Sequence, residues 1–219
     1  MPPPDGKQCG FSHDHYRHCL EKALGLGYRF ATMGEYVDGV AAEGKIILMR
    51  HDEDFSPEAA KALADMEADL GVRSTYFFRY HARQYNLLSL ANMALLQQLR
   101  GQGHEIGLHG ETHALPALRD QAGELLKRER ELLTLLVGVE VTGLSRHEPA
   151  RTGSSASDKV PPGFKYEAYS DQFSGLKYIS DSSAHWREGC MCQHIGEVDR
   201  LYILTHGFWW YRQTPLENY

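Results

Sequence analysis

Short apolar runs alternate with helical periods along this chain, and five of the runs lead into groups that titrate. Ile46-Ile47-Leu48-Met49 leads into Arg50-His51-Asp52-Glu53-Asp54, and Glu105-Ile106-Gly107-Leu108 leads into His109-Gly110-Glu111-Thr112-His113. Val139–Leu144 leads to Arg146-His147-Glu148-Pro149, Lys177–Ser180 to Asp181, and Arg200–Thr205 to His206. Strands joined through helices pair in parallel, because each crossover returns the chain to the same end of the sheet. Their carboxyl ends then share one rim, where polar residues far apart in sequence can meet. The pattern predicts a mostly parallel α/β sheet whose chemistry lies on that rim.

The intervening segments carry helix signals. Tyr16, Leu20, Ala23 and Leu24 recur at helical spacing within 11–27, closed by Gly25 and Gly27. Tyr28-Arg29-Phe30 reads as a short strand, followed by a helix over 33–42 and a strand over 45–49. Ser56 suits a helix cap and Pro57 the first helical position, with Gly71 as the stop. Further helices are expected over about 89–100 and 119–137, the latter with Leu125, Leu126, Leu132, Leu133 and Leu136 inward. Ser74–Arg79 is rich in β-formers. Residues 150–175, rich in Ser, Gly and Pro, read as a long loop. Residues 1–10, with three prolines and two glycines, read as a flexible lead, and 11–219 as a single domain without internal repeats.

At 219 residues and 42% hydrophobic content, the chain suits one α/β unit. Its formal net charge of -6 argues against binding nucleic acid through phosphate neutralisation. No apolar run approaches the ~18 residues of a membrane-spanning helix. The first residues lack the charged and apolar regions of a signal peptide, so the cytoplasm is the expected compartment. Cys9, Cys19, Cys190 and Cys192 are read as reduced thiols, since a chain this large needs no disulfide. Cys190-Met191-Cys192 lacks the wider spacing of a zinc knuckle, and Cys9 and Cys19 could complete a site only if the fold brings the chain's ends together.

Carboxylates and imidazoles at strand ends suit a divalent ion such as zinc, and three protein ligands leave a position for a reactive water. Asp52 and Asp54 point to one side if their segment stays extended, and a cation between them relieves their repulsion. An acidic turn ahead of the Ser56-Pro57 helix start accounts for them equally well. His109 and His113 share a face if helical, and otherwise form a polar loop. His206, before Gly207-Phe208-Trp209-Trp210, suits a general acid or a packed core histidine. Asp181 suits an imidazole partner or a turn cap.

The order Arg-His-Asp-Glu-Asp-Phe-Ser-Pro, Gly-His-Glu-Ile-Gly-Leu-His-Gly-Glu-Thr-His and Leu-Thr-His resembles the NodB-homology polysaccharide deacetylases, also called carbohydrate esterase family four. The resemblance covers roughly residues 11–210. It implies a distorted, incomplete (β/α) barrel and the metal-dependent removal of N- or O-acyl groups from sugars. By resemblance, Asp54, His109 and His113 are the metal ligands, Asp52 the base, His206 the acid, and Asp181 a supporting aspartate near Trp186. Glu53 separates the aspartates that are adjacent in typical members, so Asp52 and Asp54 could exchange roles. The third motif ordinarily carries an arginine that contacts the base, whereas this chain has His147 there, with Arg146 one place earlier, so by resemblance His147 is the catalytic-site residue at that position. Arg-His-Asp-x-Asp and Thr-His-x-x-Trp-Trp also resemble a subgroup associated with bacterial O-antigen genes.

The expected activity is hydrolysis of an acetyl or formyl amide on an N-acylated sugar or glycan precursor. The expected cofactor is Zn2+, with Co2+, Ni2+ or Mn2+ as substitutes. Trp186 and Trp209 are candidate sugar platforms, although aromatics mostly signal packing. A non-sugar amide hydrolase and a non-catalytic carbohydrate-binding protein of the same fold stay open as alternatives.

Overall fold

The computed structural model describes residues 9–40, 43–111, 121–148 and 159–219. Among these residues, eight parallel strands form one sheet: β1 (Arg29–Ala31), β2 (Ile46–Glu53), β3 (Thr75–Phe78), β4 (Glu105–Gly110), β5 (Gly143–Arg146), β6 (Tyr166–Glu167), β7 (Lys177–Ser180) and β8 (Arg200–Thr205). The order is β6-β5-β4-β3-β2-β8-β7, curled into a half-barrel whose two end strands do not pair with each other. Along one edge of β2, β1 pairs with Ile46–Leu48 and β3 with Arg50–Glu53, while β8 runs beside Ile46–His51 on the other. This is the distorted, incomplete barrel that the motif order implies.

Helices α1 (His13–Gly25), α2 (Met33–Val37), α3 (Pro57–Asp69), α4 (Leu90–Gly101), α5 (Ala122–Val137) and the short α6 (Met191–His194) fill the connections. Their starts are chemically specified. Ser12, Ser56 and Ser89 each accept a backbone N–H from the first turn of α1, α3 and α4, and Thr32 with Glu35 forms a capping box on α2. The expected α3, with its Ser56 cap and Pro57 start, is present at those positions. No helix among the described residues is long and apolar enough to cross a membrane.

Several expected elements differ in extent or in the face they bury, and the helix expected over 33–42 ends at Val37, with Asp38 as its cap. The strand expected over 45–49 runs on through Glu53, because Arg50–Glu53 gain backbone partners in β3 and β8. The strand expected over 139–144 forms instead at 143–146, since Gly138, at φ 76°, closes α5 and redirects the chain. In α5 the buried stripe is Leu126, Glu129, Leu133 and Val137, which leaves Leu132 at the surface rather than inward. Residues 1–8 and 149–158, parts of the expected lead and long loop, lie outside the described residues.

Alternation along β2 divides the interior. Ile46 and Leu48 join Phe77, Tyr166, Phe173 and Tyr202 inside the curl. Ile47 and Met49 face Tyr16, Cys19 and Leu63 of α1 and α3 on the outside. The next outward residue, His51, is fully buried against Glu67 of α3. Glu67 accepts hydrogen bonds from His51 Nε2 at 2.9 Å, from Tyr76 at 2.7 Å and from Tyr16, while His51 Nδ1 meets Thr205 Oγ1 at 2.7 Å. Burial alone would raise this carboxyl, but His51 and its other partners hold it down at about 2.

Glu67→Ala would leave two phenols and an imidazole without their acceptor in the helix layer. A loss of about 3 kcal/mol in unfolding free energy is expected, read from the urea midpoint. A folded-state value of about 2 against an ordinary 4.5 means that the carboxylate stabilises the fold above pH 4.5. That contribution disappears as pH falls toward 2, so the variant should show a flatter stability profile across this window than the parent.

Candidate metal centre and active site

The inward residues that follow Ile46 and Leu48 are Arg50 and Asp52, with Asp54 next beyond the strand end. Asp52 is almost fully buried, and Arg50 grips both its oxygens, Nε to Oδ1 at 2.8 Å and NH2 to Oδ2 at 2.6 Å. Ser145 Oγ on β5 adds a hydrogen bond to Oδ2 at 3.1 Å. Burial would push the Asp52 carboxyl up, and the Arg50 guanidinium overrides it, holding the group below the ordinary carboxylate range.

Asp54 is the hub of the rim. Its Oδ1 lies 3.3 Å from His109 Nε2 and 3.5 Å from His147 Nε2, and its Oδ2 lies 3.9 Å from His206 Nε2. Asp52 Oδ2 stands 3.7 Å from the same His109 nitrogen. Strands β2, β4, β5 and β8 thus deliver one group each or more to a single point. Gly207 permits this at β8: a Cβ there would sit 2.9 Å from the Ala60 backbone nitrogen, so only glycine lets the chain after His206 pack on α3.

Both ring orientations at Asp54 are set from behind. His109 Nδ1 donates to the Ser145 carbonyl oxygen at 2.9 Å, and His147 Nδ1 pairs with Glu111 Oε2 at 3.2 Å. These bonds leave the Nε2 atoms turned toward Asp54, as second partners do for imidazole ligands. Burial would raise Glu111, but His147 and Arg79 hold it at about 2. Arg79 bridges Glu111 and Asp54, reaching Asp54 Oδ1 at 3.2 Å.

The donor set fits a divalent ion. Asp54, His109 and His147 offer one carboxylate oxygen and two imidazole nitrogens, all within 4.8 Å of one another. A tetrahedral ion with ~2.05 Å arms has donor–donor edges of about 3.3 Å, close to the 3.3 and 3.5 Å found around Asp54. A carboxylate with two imidazoles suits zinc and similar ions. His113, the other expected ligand, lies outside the described residues.

His206 stands apart from that trio. Its Nδ1 pairs with Asp181 Oδ1 at 2.7 Å, while Asp181 Oδ2 accepts from the His206 backbone N–H at 3.1 Å and from Trp210 Nε1 at 3.0 Å. Burial by itself lowers this imidazole, and the Asp181 carboxylate more than reverses that, pushing it up to about 9. At neutral pH it carries a proton whose Nε2 side faces Asp54.

Other candidate residues separate clearly. Trp209, whose ring centre lies 6.5 Å from that of His206, lines an aromatic groove of about 630 Å³ with Phe55, Pro57, Tyr85, Phe208 and Tyr219. Trp186, at 3% exposure, instead packs among Phe11 and Trp210 in the core, so it presents no open face to a sugar. Glu53 points into the layer opposite its two aspartate neighbours. Burial, first of all, pushes its carboxyl well above the ordinary range. Arg50, Arg79, Glu111 and Ser145 carry structural duties that motif reading did not assign. The i, i+2 spacing of Arg50 and Asp52 on one strand face was the available signal for the first of them.

No protein-family model matches the chain, and no curated protein matches it in sequence. Solved structures resemble it in shape. The Streptococcus pyogenes deacetylase PplD in complex with acetate aligns at a TM-score of 0.51 and 11% identity, over 70% of this chain and 73% of that one. IcaB from Ammonifex degensii aligns at 0.49 and 18% identity, over 61% of this chain and 65% of its own length. A family 4 carbohydrate esterase from Bacillus anthracis aligns at 0.49 and 15%, over 91% and 80%. This chain thus spans somewhat less than two thirds of IcaB. What the chain shares with PplD is the fold, a parallel sheet curled into a half-barrel with flanking helices.

Glu111→Gln keeps the shape of the side chain but removes the charge behind His147. A drop of about 10- to 100-fold in metal affinity at the Asp54 site is expected, measured by titrating chelator-stripped protein.

Proposed function

We propose that this chain is a divalent-metal-dependent hydrolase that removes an acetyl or formyl group from the nitrogen of a sugar or glycan precursor. The observation that carries the reading is the pairing of two devices on one carboxylate. Asp54 faces two imidazoles at ligand spacing with one oxygen, and with the other faces a third imidazole held protonated by Asp181.

Asp54, His109 and His147 would hold the ion, with Zn2+ the best match to one oxygen and two nitrogen donors and His113 a further candidate ligand. When bound, such an ion polarises an acyl oxygen and lowers the pKa of a bound water toward ~7. Asp52 is the base in this reading: its Oδ2 lies on the ligand side at 3.7 Å from His109 Nε2. Arg50 and Ser145 fix its position, the part that the family resemblance gives to an arginine of the third motif. The same clamp keeps Asp52 ionised, so it is ready to accept a proton but is a weak base on its own.

Amide cleavage expels an amine, which leaves only when protonated. His206 supplies that proton from Nε2, and Asp181 stabilises the imidazolium beforehand. The groove of Phe55, Phe208 and Trp209 adjoins His206 through the Trp209 ring, and its flat apolar rings suit the face of a sugar.

Two outcomes test the reading against N-acetyl and N-formyl sugars. His109→Ala should lose activity together with the metal at this site, whereas His206→Ala should keep that metal and lose about 10²- to 10⁴-fold in kcat. Retention of full turnover by chelator-stripped protein would exclude the reading. Metal binding without hydrolysis of any acyl donor would leave a non-catalytic carbohydrate-binding protein.

The Asp181 contact makes a separate statement about pH. Because His206 must be protonated to act, activity should fall as pH rises through its value of about 9. Asp181→Asn removes the anion that lifts it, so the alkaline limb of kcat should shift toward the ordinary imidazole value of ~6.5.

A further inference from the structure

The fold brings both ends of the chain together around sulfur. Cys9 precedes α1, His15 and Cys19 lie one turn apart within it, and Cys190 and Cys192 flank the start of α6. Cys9 Sγ stands 3.5 Å from Cys192 Sγ across 183 residues of sequence, and His15 Nε2 stands 3.2 Å from Cys190 Sγ. The donor atoms of Cys9, His15, Cys190 and Cys192 all lie within 4.8 Å of one another. Cys19 Sγ is 3.5 Å from His15 Nε2, fully buried behind the group.

We propose that Cys9, His15, Cys190 and Cys192 form a structural zinc site that clamps α1 to the β7–β8 connection. A tetrahedral zinc with ~2.3 Å sulfur and ~2.05 Å nitrogen arms has sulfur–sulfur edges of about 3.8 Å and sulfur–nitrogen edges of about 3.6 Å. The distances of 3.5 and 3.2 Å here are slightly inside those edges, so an ion needs only a small expansion of the group. Three thiolates and an imidazole are soft, closed-site ligands, which favour zinc over the oxygen-preferring ions. No carboxylate belongs to the set, and all four donor positions are taken by protein, so this site is built for structure rather than for chemistry on a substrate. The single-residue spacing of Cys190 and Cys192 is no obstacle, because the other two ligands come from the opposite end of the chain.

The clamp also has something to hold. His13 N donates to the Tyr211 carbonyl at 2.8 Å, and Phe11 packs edge-on against Trp210, whose indole N–H supports Asp181. Closing a loop of this length removes much freedom from the unfolded chain. The proposal stands independently of whether the Asp54 site hydrolyses anything.

The test uses the full chain, purified under a non-chelating reductant and loaded with Co2+ in place of zinc. Thiolate-to-cobalt charge-transfer absorption should appear, which Asp54 and its imidazoles cannot produce. It should persist in His109→Ala, vanish in Cys192→Ser, and be accompanied by the loss of about one metal ion per chain in the latter, measured by elemental analysis. The parent protein alone decides if a variant fails to fold: zinc should slow the reaction of its thiols with an alkylating reagent. Absence of the absorption, with all four thiols equally reactive with and without zinc, would overturn the site. Loss of the absorption in Cys19→Ser but not in His15→Ala would overturn the ligand set.

Discussion

A single buried guanidinium holds the inside of this half-barrel together. Arg50 has no exposed surface, yet it bonds both oxygens of Asp52, the Ser145 hydroxyl of β5 at 2.6 Å and the Tyr202 hydroxyl of β8 at 2.9 Å. Its flat face lies 4.3 Å from the centre of the Tyr169 ring. An arginine so placed has its forked donors matched by fixed acceptors, which offsets the cost of taking it out of water. The strands that it ties to β2 are those that lead to His147 and His206 at the rim. β8 is already paired with β2, so the bond that adds most is the one to Ser145, which crosses the curl to β5 past the intervening β3 and β4.

The same strand serves the opposite layer. One residue after Arg50, His51 turns outward to Glu67 of α3 and Thr205 of β8, and there the buried Glu67 charge is shared among His51, Tyr16 of α1 and Tyr76 of β3. Two polar clusters therefore lie back to back on β2, each satisfied by its own surroundings. Neither is tolerable without the other elements in place, so the polar half of β2 depends on nearly every layer of the fold.

Much of the architecture was legible because it rests on local signals. Ser56-Pro57 is a helix start wherever it folds, and apolar runs between helical periods dictate parallel strands. What escaped was set by partners distant in sequence. Arg-His-Asp-Glu falls beyond the strand expected over 45–49, since nothing nearby shows that β3 and β8 will supply backbone partners and that Ser145 and Glu67 will receive the side chains. The strand-end groups Asp54, His109, His147 and His206 could be named from motif and position, but the service of Glu111 and Arg79 behind them exists only once β3, β4 and β5 lie side by side. The sulfur cluster was hidden for the same reason: the spacing of Cys190 and Cys192 is uninformative until α1 packs beside them.

Alternation on β2 also limits how this protein can change over generations. Replacing one side chain alters one layer and leaves the other untouched, so the acid–base equipment inside and the Glu67 network outside can drift separately. Adding or removing one residue between Ile46 and Glu53 does something different: it turns His51 inward and Asp52 outward, exchanging both layers at once. Length in this strand is thus effectively frozen while its composition is not. The connections beyond the strand ends, where a gained or lost residue carries no side chain across the sheet, are where a lineage with this fold can vary its length and reshape the groove beside His206.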